Sequence, residues 1–281
     1  MEEHIFNIEG LTHQYADGTF AIKDLSILIQ QGKKIALLGN NGAGKSTLFL
    51  HLNGLLQPTS GTIRFKGKKM KYDRKALLSL RKQVGIVFQD PDSQLFSANV
   101  QQDISFGPMN LGWDRNVVHE KVQWAMDQTE VTEMKDKPTH FLSLGQKKRV
   151  AIAGVLAMEP DVWLLDEPTA GLDPYFSRQI MALLDSIHHP DKTIILSTHD
   201  VNLAYQWADE VVVMNDGKVI YQGDPVSVFH DEDILMKAHL EKPWVFEMFQ
   251  ALLQSRIPGE KELVPRTKEE LLQKIETEKI Y

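Results

Sequence analysis

Short apolar runs alternate along this chain with segments whose apolar residues recur at helical spacing. Four runs are rich in Val, Ile and Leu on both faces, which is typical of buried parallel strands. These runs are "KKIALLG" (33–39), "QVGIVFQ" (83–89), "DVWLLDE" (161–167) and "KTIILSTH" (192–199). We therefore predict a mostly parallel sheet with a helix after each strand, which is an α/β fold.

Other patterns flank this core. The first 30 residues show mixed alternation, which predicts an antiparallel sheet beside the parallel one. Residues 210–223 predict a hairpin with Asp216 and Gly217 at its tight turn. From Pro225 onward the spacing is helical and is broken by proline and glycine.

These patterns divide the chain into two parts. We expect one large α/β domain over 1–224, with a helical subdomain at about 90–160. A small C-terminal helical appendage is expected over 225–281.

Charge and composition exclude several classes of function. The chain has 31 Lys and Arg against 38 Asp and Glu, a net charge of −7, so nothing indicates nucleic-acid binding. Two short basic runs, 66–75 and 145–149, are attributed to solvated surface. Cysteine is absent, which excludes disulfides and thiolate sites.

The chain shows no sign of its own membrane attachment. Its start, "MEEHIFNIEG", is acidic where a secretory signal would be basic. The longest apolar run, "VAIAGVLAM" (150–158), is about half the length that a bilayer span requires. Work at a membrane would therefore need a partner.

The segment "GNNGAGKST" lies between an apolar strand and a helical segment, where a P-loop requires it. Its glycines let backbone N–H groups point at phosphate oxygens, and the following helix adds its positive end. Lys45 is expected to reach the β and γ phosphates of ATP, and Ser46 to ligate Mg²⁺. The expected nucleotide-binding residues are Gly39, Asn40, Asn41, Gly42, Ala43, Gly44, Lys45, Ser46 and Thr47.

Polar side chains end the other three parallel strands, at the edge where such sheets bind ligands. Asp166 is assigned to Mg²⁺ and Glu167 to activation of the attacking water as general base. Gln89 is expected to contact the metal or the water, with a plain polar strand end as the alternative. His199 could hydrogen-bond the γ phosphate, although a lone histidine is more often structural.

These motifs, together with "LSLGQ" (142–146) and "AGLD" (170–173), resemble the ATP-binding-cassette ATPases over roughly residues 4–223. In that family two cassettes sandwich two ATP molecules, and each signature completes the other's site. The resemblance implies a second ATPase, the chain itself or a paralogue. Ser143, Gly145 and Gln146 would bind nucleotide in trans, and Asp173 would lie at the dimer interface.

Two further residues follow from the resemblance. Tyr15 would stack on adenine, with a core tyrosine as the alternative. Leu144 stands where the family has glycine. Because a bulky side chain cannot take positive φ cheaply, we expect Leu144 to have ordinary backbone angles.

The segments 88–112 and 144–160 are similar to the ATPases of energy-coupling-factor importers, particularly the cobalt-type subunit. This implies an integral-membrane coupling protein and a substrate-capture protein as partners, and a peripheral place on the cytoplasmic face of the cell membrane. The segment after Gln89 would form the groove for the coupling helices. The substrate would be cobalt or nickel, with a vitamin importer or a soluble non-transport ATPase as alternatives.

The transported metal itself is not expected to touch this chain. The adjacent pair His188 and His189 lacks the spacing of real metal sites. In the appendage, a set of apolar residues could form either a dimer contact or an intramolecular core. They are Val245, Phe246, Met248, Phe249, Leu252 and Leu253.

Overall fold

The computed structural model describes residues 4–254 and 264–278. Within these ranges the strands are β1 His4–Gln14, β2 Phe20–Gln30, β3 Lys34–Leu38, β4 Ser60–Phe65, β5 Lys68–Lys69, β6 Val84–Val87, β7 Val162–Asp166, β8 Thr193–Thr198, β9 Glu210–Asn215 and β10 Lys218–Gly223. The helices are α1 Lys45–Leu52, α2 Arg74–Arg81, α3 Val100–Asn110, α4 Arg115–Gln128, α5 Leu144–Leu156, α6 Pro174–Ile187, α7 Val201–Trp207, α8 Pro225–Val228, α9 Glu232–Ala238, α10 Trp244–Gln254 and α11 Lys268–Glu278.

The larger sheet is mostly parallel, as predicted, and its order is β10-β9-β3-β8-β7-β6. The four predicted strands lie side by side in the order β3-β8-β7-β6, with β6 at the edge of the sheet, and helices follow them. The predicted hairpin is confirmed, since β10 runs antiparallel to β9 and Asp216 and Gly217 both have positive φ at the turn. The first strand of this hairpin, β9, also pairs with β3 in parallel. Strand β9 joins the parallel core because its Val-rich run is buried on both faces.

The register of this sheet brings the carboxyl ends of the central strands to one edge. Leu38 pairs with Thr198, and Asp166 pairs with Ser197. Side chains that follow β3, β7 and β8 therefore emerge close together.

The smaller sheet is antiparallel and has the order β2-β1-β4-β5. Its alternating residues bury one face in a core shared with α1 and the near face of the larger sheet. The predicted N-terminal antiparallel subdomain is thus present.

The segment between β6 and β7 is helical. Helices α3, α4 and α5 pack on one another, and their apolar faces join the core on the far side of the larger sheet. Asn99 and Asp114 cap the N-termini of α3 and α4 with their side chains. This places the N-terminus of α5 at the end of a compact helical unit.

Among the described residues after Pro225, several apolar side chains are part of the main core. Val245, Phe246 and Phe249 are almost fully buried there, so for these three the intramolecular reading is correct. Met248 is half exposed and Leu252 is only partly buried against the core. The side chain of Leu253 lies outside the described residues.

Tyr205 anchors the appendage to the domain. Its ring contacts Phe229 and Phe246, and its hydroxyl donates to the carbonyl of Pro265 over 2.9 Å. The Arg266 guanidinium in turn donates to the carbonyl of Tyr205 over 2.7 Å. In the described part of the chain, no helix is long and apolar enough to cross a membrane.

Candidate active site

The P-loop connects the central strand β3 to helix α1. Gly39 and Gly44 have positive φ, and a Cβ on them would lie 2.3 Å from the carbonyl oxygen of Met214 and 2.5 Å from that of Ala21. Only glycine fits at these two positions. Gly42 also has positive φ but faces open space, which leaves room for a ligand against the loop backbone. The structure thus provides a cradle of the kind that binds phosphate.

Lys45 begins helix α1 and lies inside this cradle. Its side chain is 6% exposed, and its ammonium donates to the carbonyls of Gly39 and Asn40 over 2.5 and 3.2 Å. Burial lowers the pKa of Lys45, and the carboxylates of Glu167 and Asp166 oppose that shift. A buried cation next to open backbone donors suits a polyphosphate.

Asp166 and Glu167 lie at the end of β7 and are both buried. Ser197 on β8 joins them, because its hydroxyl donates to Asp166 Oδ1 over 2.5 Å and accepts from the Glu167 amide over 3.1 Å. Glu167 has a left-handed backbone with φ of 48°, which is unfavourable for a residue with a Cβ. The two carboxyl groups therefore leave the strand end in fixed, separate directions.

His199 follows β8 and pairs with Glu167. Its Nδ1 lies 3.0 Å from Glu167 Oε1, and its side chain is 70% exposed while that of Glu167 is 7% exposed. Nδ1 faces the carboxylate, which leaves Nε2 available to a ligand. The pair borders a cavity of about 610 Å³, lined also by Thr198, Thr169 and Leu203.

Gln89 lies two residues beyond β6 and is exposed. Strand β6 pairs with β7 through Val87 and Leu165, so Gln89 follows the strand end next to Glu167. The structure places it at the same sheet edge as the other strand-end residues.

Tyr15 follows β1 and reaches the P-loop helix. Its hydroxyl lies 3.1 Å from Thr47 Oγ1, and its side chain is 40% exposed. Its ring packs edge-on against His13, which in turn contacts His51 of α1. Tyr15 is therefore a surface aromatic beside the phosphate cradle, and not a core tyrosine.

The segment "LSLGQ" forms the N-terminus of α5. Ser143 caps the helix, with its hydroxyl accepting from the Gln146 amide while the Gln146 side chain accepts from the Ser143 amide. Leu144 begins the helix with ordinary backbone angles, as predicted. Helix α5 has 13 residues, so its positive end is well formed, and Ser143 and Leu144 at that end are exposed.

Asp173 has a local role that the sequence did not indicate. Its carboxylate accepts from the amides of Tyr175 and Phe176 and caps helix α6. The residue is exposed, and it follows Gly171 and Leu172, which lie against the start of α5.

Three residues at the site were missed. Ser197 was hidden in an apolar strand, and Lys148 was hidden in a basic run attributed to solvated surface. That attribution was wrong for Lys148, which is 3% exposed. His239, at the end of α9, bonds through Nδ1 to the side-chain amide of Asn40 over 2.8 Å. The sequence around His239 does not indicate this contact, because His239 and Asn40 are 199 positions apart in the chain.

Comparison with known proteins identifies the family. A family model described as ABC transporter matches residues 22–170. The Methanocaldococcus jannaschii protein named energy-coupling factor transporter ATP-binding protein EcfA is 48% identical over 249 residues, which are 89% of each chain.

Solved structures agree. The cbiO1 protein of Clostridium perfringens, described as part of the ABC transporter complex cbiONQ, is 47% identical with a TM-score of 0.73, over 90% of this chain and all of that one. A dimeric ATP-binding cassette in a post-hydrolysis state with ADP and Pi is 26% identical with a TM-score of 0.73, over 78% of this chain and 98% of that one. With the phosphate cradle and the buried carboxylates, these matches show that the chain is an ATP-binding ATPase of the ABC transporter family, among the energy-coupling-factor ATP-binding proteins.

Proposed function

We propose that this chain hydrolyses ATP to energise import of a transition-metal ion, cobalt or nickel, through an energy-coupling-factor transporter. It would act as a peripheral subunit on the cytoplasmic face of the membrane. The substrate assignment is supported by the similarity of residues 88–112 and 144–160 to cobalt-type subunits, and by the likeness to cbiO1.

In this proposal the P-loop residues 39–47 bind the phosphates of ATP. Lys45 turns its ammonium from the carbonyls of Gly39 and Asn40 to the β and γ phosphates, and α1 adds its positive end. Tyr15 offers its ring to adenine, and its hydroxyl contact with Thr47 sets the distance from base to phosphates. The geometry supports a nucleoside triphosphate over a smaller anion.

The residues at the sheet edge also fit Mg²⁺. Ser46 and Gln89 are exposed oxygen donors, and Asp166 is a buried carboxylate held by Ser197. This all-oxygen donor set suits a hard divalent cation. When bound, Mg²⁺ would neutralise charge on the phosphate oxygens.

Glu167 is proposed as the general base for the attacking water. Its carboxylate is buried, fixed by the Glu167 amide bonds to Ser197, and paired with His199. His199 Nδ1 orients the carboxylate while Nε2 reaches the γ phosphate. The proton taken from water passes to Glu167.

A second ATPase completes the site. Ser143, Gly145 and Gln146 lie at the N-terminus of α5, where Ser143 and Gln146 bond to each other and the amides of Leu144 and Gly145 are left to face a partner's nucleotide. The exposed Asp173 lies at the proposed dimer interface, on the turn that contacts α5. The dimeric cassette structure supports this assembly.

The transport proposal rests chiefly on an apolar groove. A cavity of about 870 Å³ opens between α2, α3 and α5. Phe96 and Phe106, which are 65% and 49% exposed, pack edge-on against each other, and both line the cavity together with Met158. An exposed aromatic pair above an apolar slot suits the helix-in-groove mode of recognition. We propose that helices of the integral-membrane coupling protein dock there.

Replacing both Phe96 and Phe106 with Ala tests this role. We expect the variant to keep ATP hydrolysis but to lose most co-purification with the membrane protein, because the two rings supply the exposed apolar contact. Met236→Ala, an exposed apolar residue on α9, is the matched control and should co-purify normally. Full recovery of the membrane partner by the double variant would contradict the groove assignment.

Uptake into vesicles that carry the reconstituted transporter tests the substrate. We expect ATP-dependent accumulation of radiolabelled cobalt or nickel by the wild type, and none by Glu167→Gln. Uptake of a vitamin in place of either metal would move the chain to the vitamin importers. Recovery with ribosomes, and no membrane partner, would refute transport itself.

A further inference from the structure

Lys148 is a buried cation that neither the P-loop nor the groove explains. It lies on the second turn of α5, two residues beyond the signature segment, and is 3% exposed. Its ammonium donates to the carbonyl of Glu167 over 2.8 Å and to that of Ala170 over 2.7 Å. A buried ammonium is retained only where such bonds compensate its lost hydration.

The two carbonyls belong to one turn that starts at Glu167. The Ala170 amide donates back to the Glu167 carbonyl over 3.2 Å, so Lys148 holds both ends of this turn. The turn also carries the unfavourable positive φ of Glu167. Such a conformation persists only where neighbouring groups fix it, and Lys148 is one of those groups.

The start of α5 contacts the same turn a second time. A Cβ on Gly171 would lie 3.0 Å from Leu144 Cδ2, and one on Gly145 would lie 3.3 Å from Leu172 Cδ2. The signature end of α5 and the segment 167–172 therefore form one packed unit. Burial lowers the pKa of Lys148, while the Glu167 and Asp166 charges favour its protonated form.

We propose that Lys148 is a positioning residue that fixes the backbone of Glu167 to helix α5, so that α5 and the general base move together. Because α5 faces the partner's nucleotide in the proposed dimer, engagement of the signature there sets the Glu167 carboxylate at the chain's own nucleotide. This inference rests on the composite sites of the proposed function.

A double-mutant cycle tests the positioning role in the full-length chain assembled with its partners. Lys148→Met keeps the length of the side chain but removes its donors. We expect single-turnover hydrolysis to fall tenfold or more, with ATP affinity changed less than threefold. In a Glu167→Gln background the same substitution should change the remaining hydrolysis less than twofold, because its effect passes through Glu167.

Equal losses in both backgrounds would overturn the proposal, since a merely structural residue lowers activity regardless of Glu167. If Lys148→Met does not fold, Lys148→Gln enters the same cycle, because its amide retains N–H donors on a shorter side chain. Lys121→Met is the control. It removes a partly exposed lysine that pairs with Glu159 on the surface, and hydrolysis should stay unchanged.

A second cycle tests transmission from the signature. The assay uses a mixed dimer whose partner chain carries Glu167→Gln, so that hydrolysis reports the site of the chain that carries Ser143→Ala. There Ser143→Ala should slow hydrolysis, and it should do so much less when the same chain also carries Lys148→Met. If the rate of the double variant falls by the product of the two single-variant factors, or if Ser143→Ala has no effect at all, transmission through Lys148 is overturned. Both cycles measure hydrolysis, whereas the importer proposal is tested by membrane binding and uptake, so either can fail alone.

Discussion

At the scale of residues, the site depends on side chains that fix the position of the proposed catalytic carboxylate. Three residues hold Glu167: Ser197 bonds to its amide, the imidazole of His199 pairs with its carboxylate, and the ammonium of Lys148 donates to its carbonyl. Few of these contacts act on substrate directly. They fix where the carboxylate points, which is what a general base requires.

Replacing Glu167 with Gln should separate binding from hydrolysis. Glutamine keeps the shape but cannot accept a proton from water, so we expect hydrolysis to slow about a hundredfold or more. Nucleotide affinity measured by calorimetry should stay within a few-fold. Glu159→Gln, at an exposed ion pair with Lys121, is the control. A wild-type rate for Glu167→Gln would remove Glu167 from its proposed role.

Replacing Lys45 with Ala should weaken ATP binding. The substitution removes a buried cation from the phosphate cradle, and a charged hydrogen bond contributes about 1.5–3 kcal/mol, so affinity should drop about tenfold or more. Calorimetric titration with ATP measures it, with the exposed Lys69→Ala as control. Unchanged affinity would count against the P-loop assignment.

The sequence predicted the phosphate cradle well because a P-loop is local. Nine consecutive residues carry the glycines, the cation and the start of the helix. Ser197 and Lys148 could not be predicted, because their partners lie about 20 to 30 residues away and meet them only through strand pairing and helix packing. A spacing pattern contains no information about such contacts.

At the scale of elements, packing determines roles that periodicity leaves open. Helix α10 has the apolar pattern of either a dimer contact or a core helix. The contacts of Phe246 with Tyr205 and Phe229 decide for the core at the buried face of this helix. Packing also brings β1 against α1, a contact that the spacing of apolar residues does not indicate. There His13 and His51 meet ring to ring, 4.7 Å apart and shielded from solvent.

This histidine pair should make the fold sensitive to mild acid. Burial, with a smaller effect of His13, lowers the pKa of His51 from 6.5 to about 4. The unfolded chain therefore binds more protons than the folded one between these values, and stability falls as pH drops below 6.5. Between pH 7.5 and 5 the loss should be about 2 kcal/mol.

Urea unfolding of the wild type and of His51→Phe at pH 7.5 and pH 5, about the two ends of the range above, measures this loss of stability. The wild type should lose about 2 kcal/mol more than the variant. His119→Gln, at an exposed position on α4, should follow the wild type. Parallel losses in wild type and His51→Phe would show that His51 is not the acid-sensitive group.

The first residue of α5 offers a further test at this scale. Leu144 is 46% exposed, and the capping box is formed by Ser143 and Gln146 without its side chain. Leu144→Gly should therefore cost no more than about 1 kcal/mol of stability. Steady-state ATP hydrolysis should change less than threefold, and a large gain would show instead that the leucine restrains turnover.

At the scale of the whole molecule, the signature and the P-loop of one chain serve different nucleotides in the proposed assembly. Glu167→Gln should hold ATP without cleaving it, so ATP with Mg²⁺ should convert the variant to a dimer, with itself or with a supplied paralogue. Size exclusion with light scattering measures the mass. The Glu167→Gln variant with ADP, and Lys45→Ala with ATP, should remain monomers. A dimer that forms equally well without nucleotide would contradict an assembly that encloses ATP between the two chains.

The position of β3 has a consequence for how the chain is made. This strand carries the P-loop, yet its two neighbours β8 and β9 begin at Thr193 and Glu210. At ribosomal rates the P-loop strand is synthesised roughly 8 to 30 seconds before either neighbour exists. An apolar strand with both edges open is prone to wrong pairing during that interval. Nucleotide should therefore protect a nascent chain from proteolysis only after β9 has emerged, which makes the ATP site one of the last parts of the molecule to form.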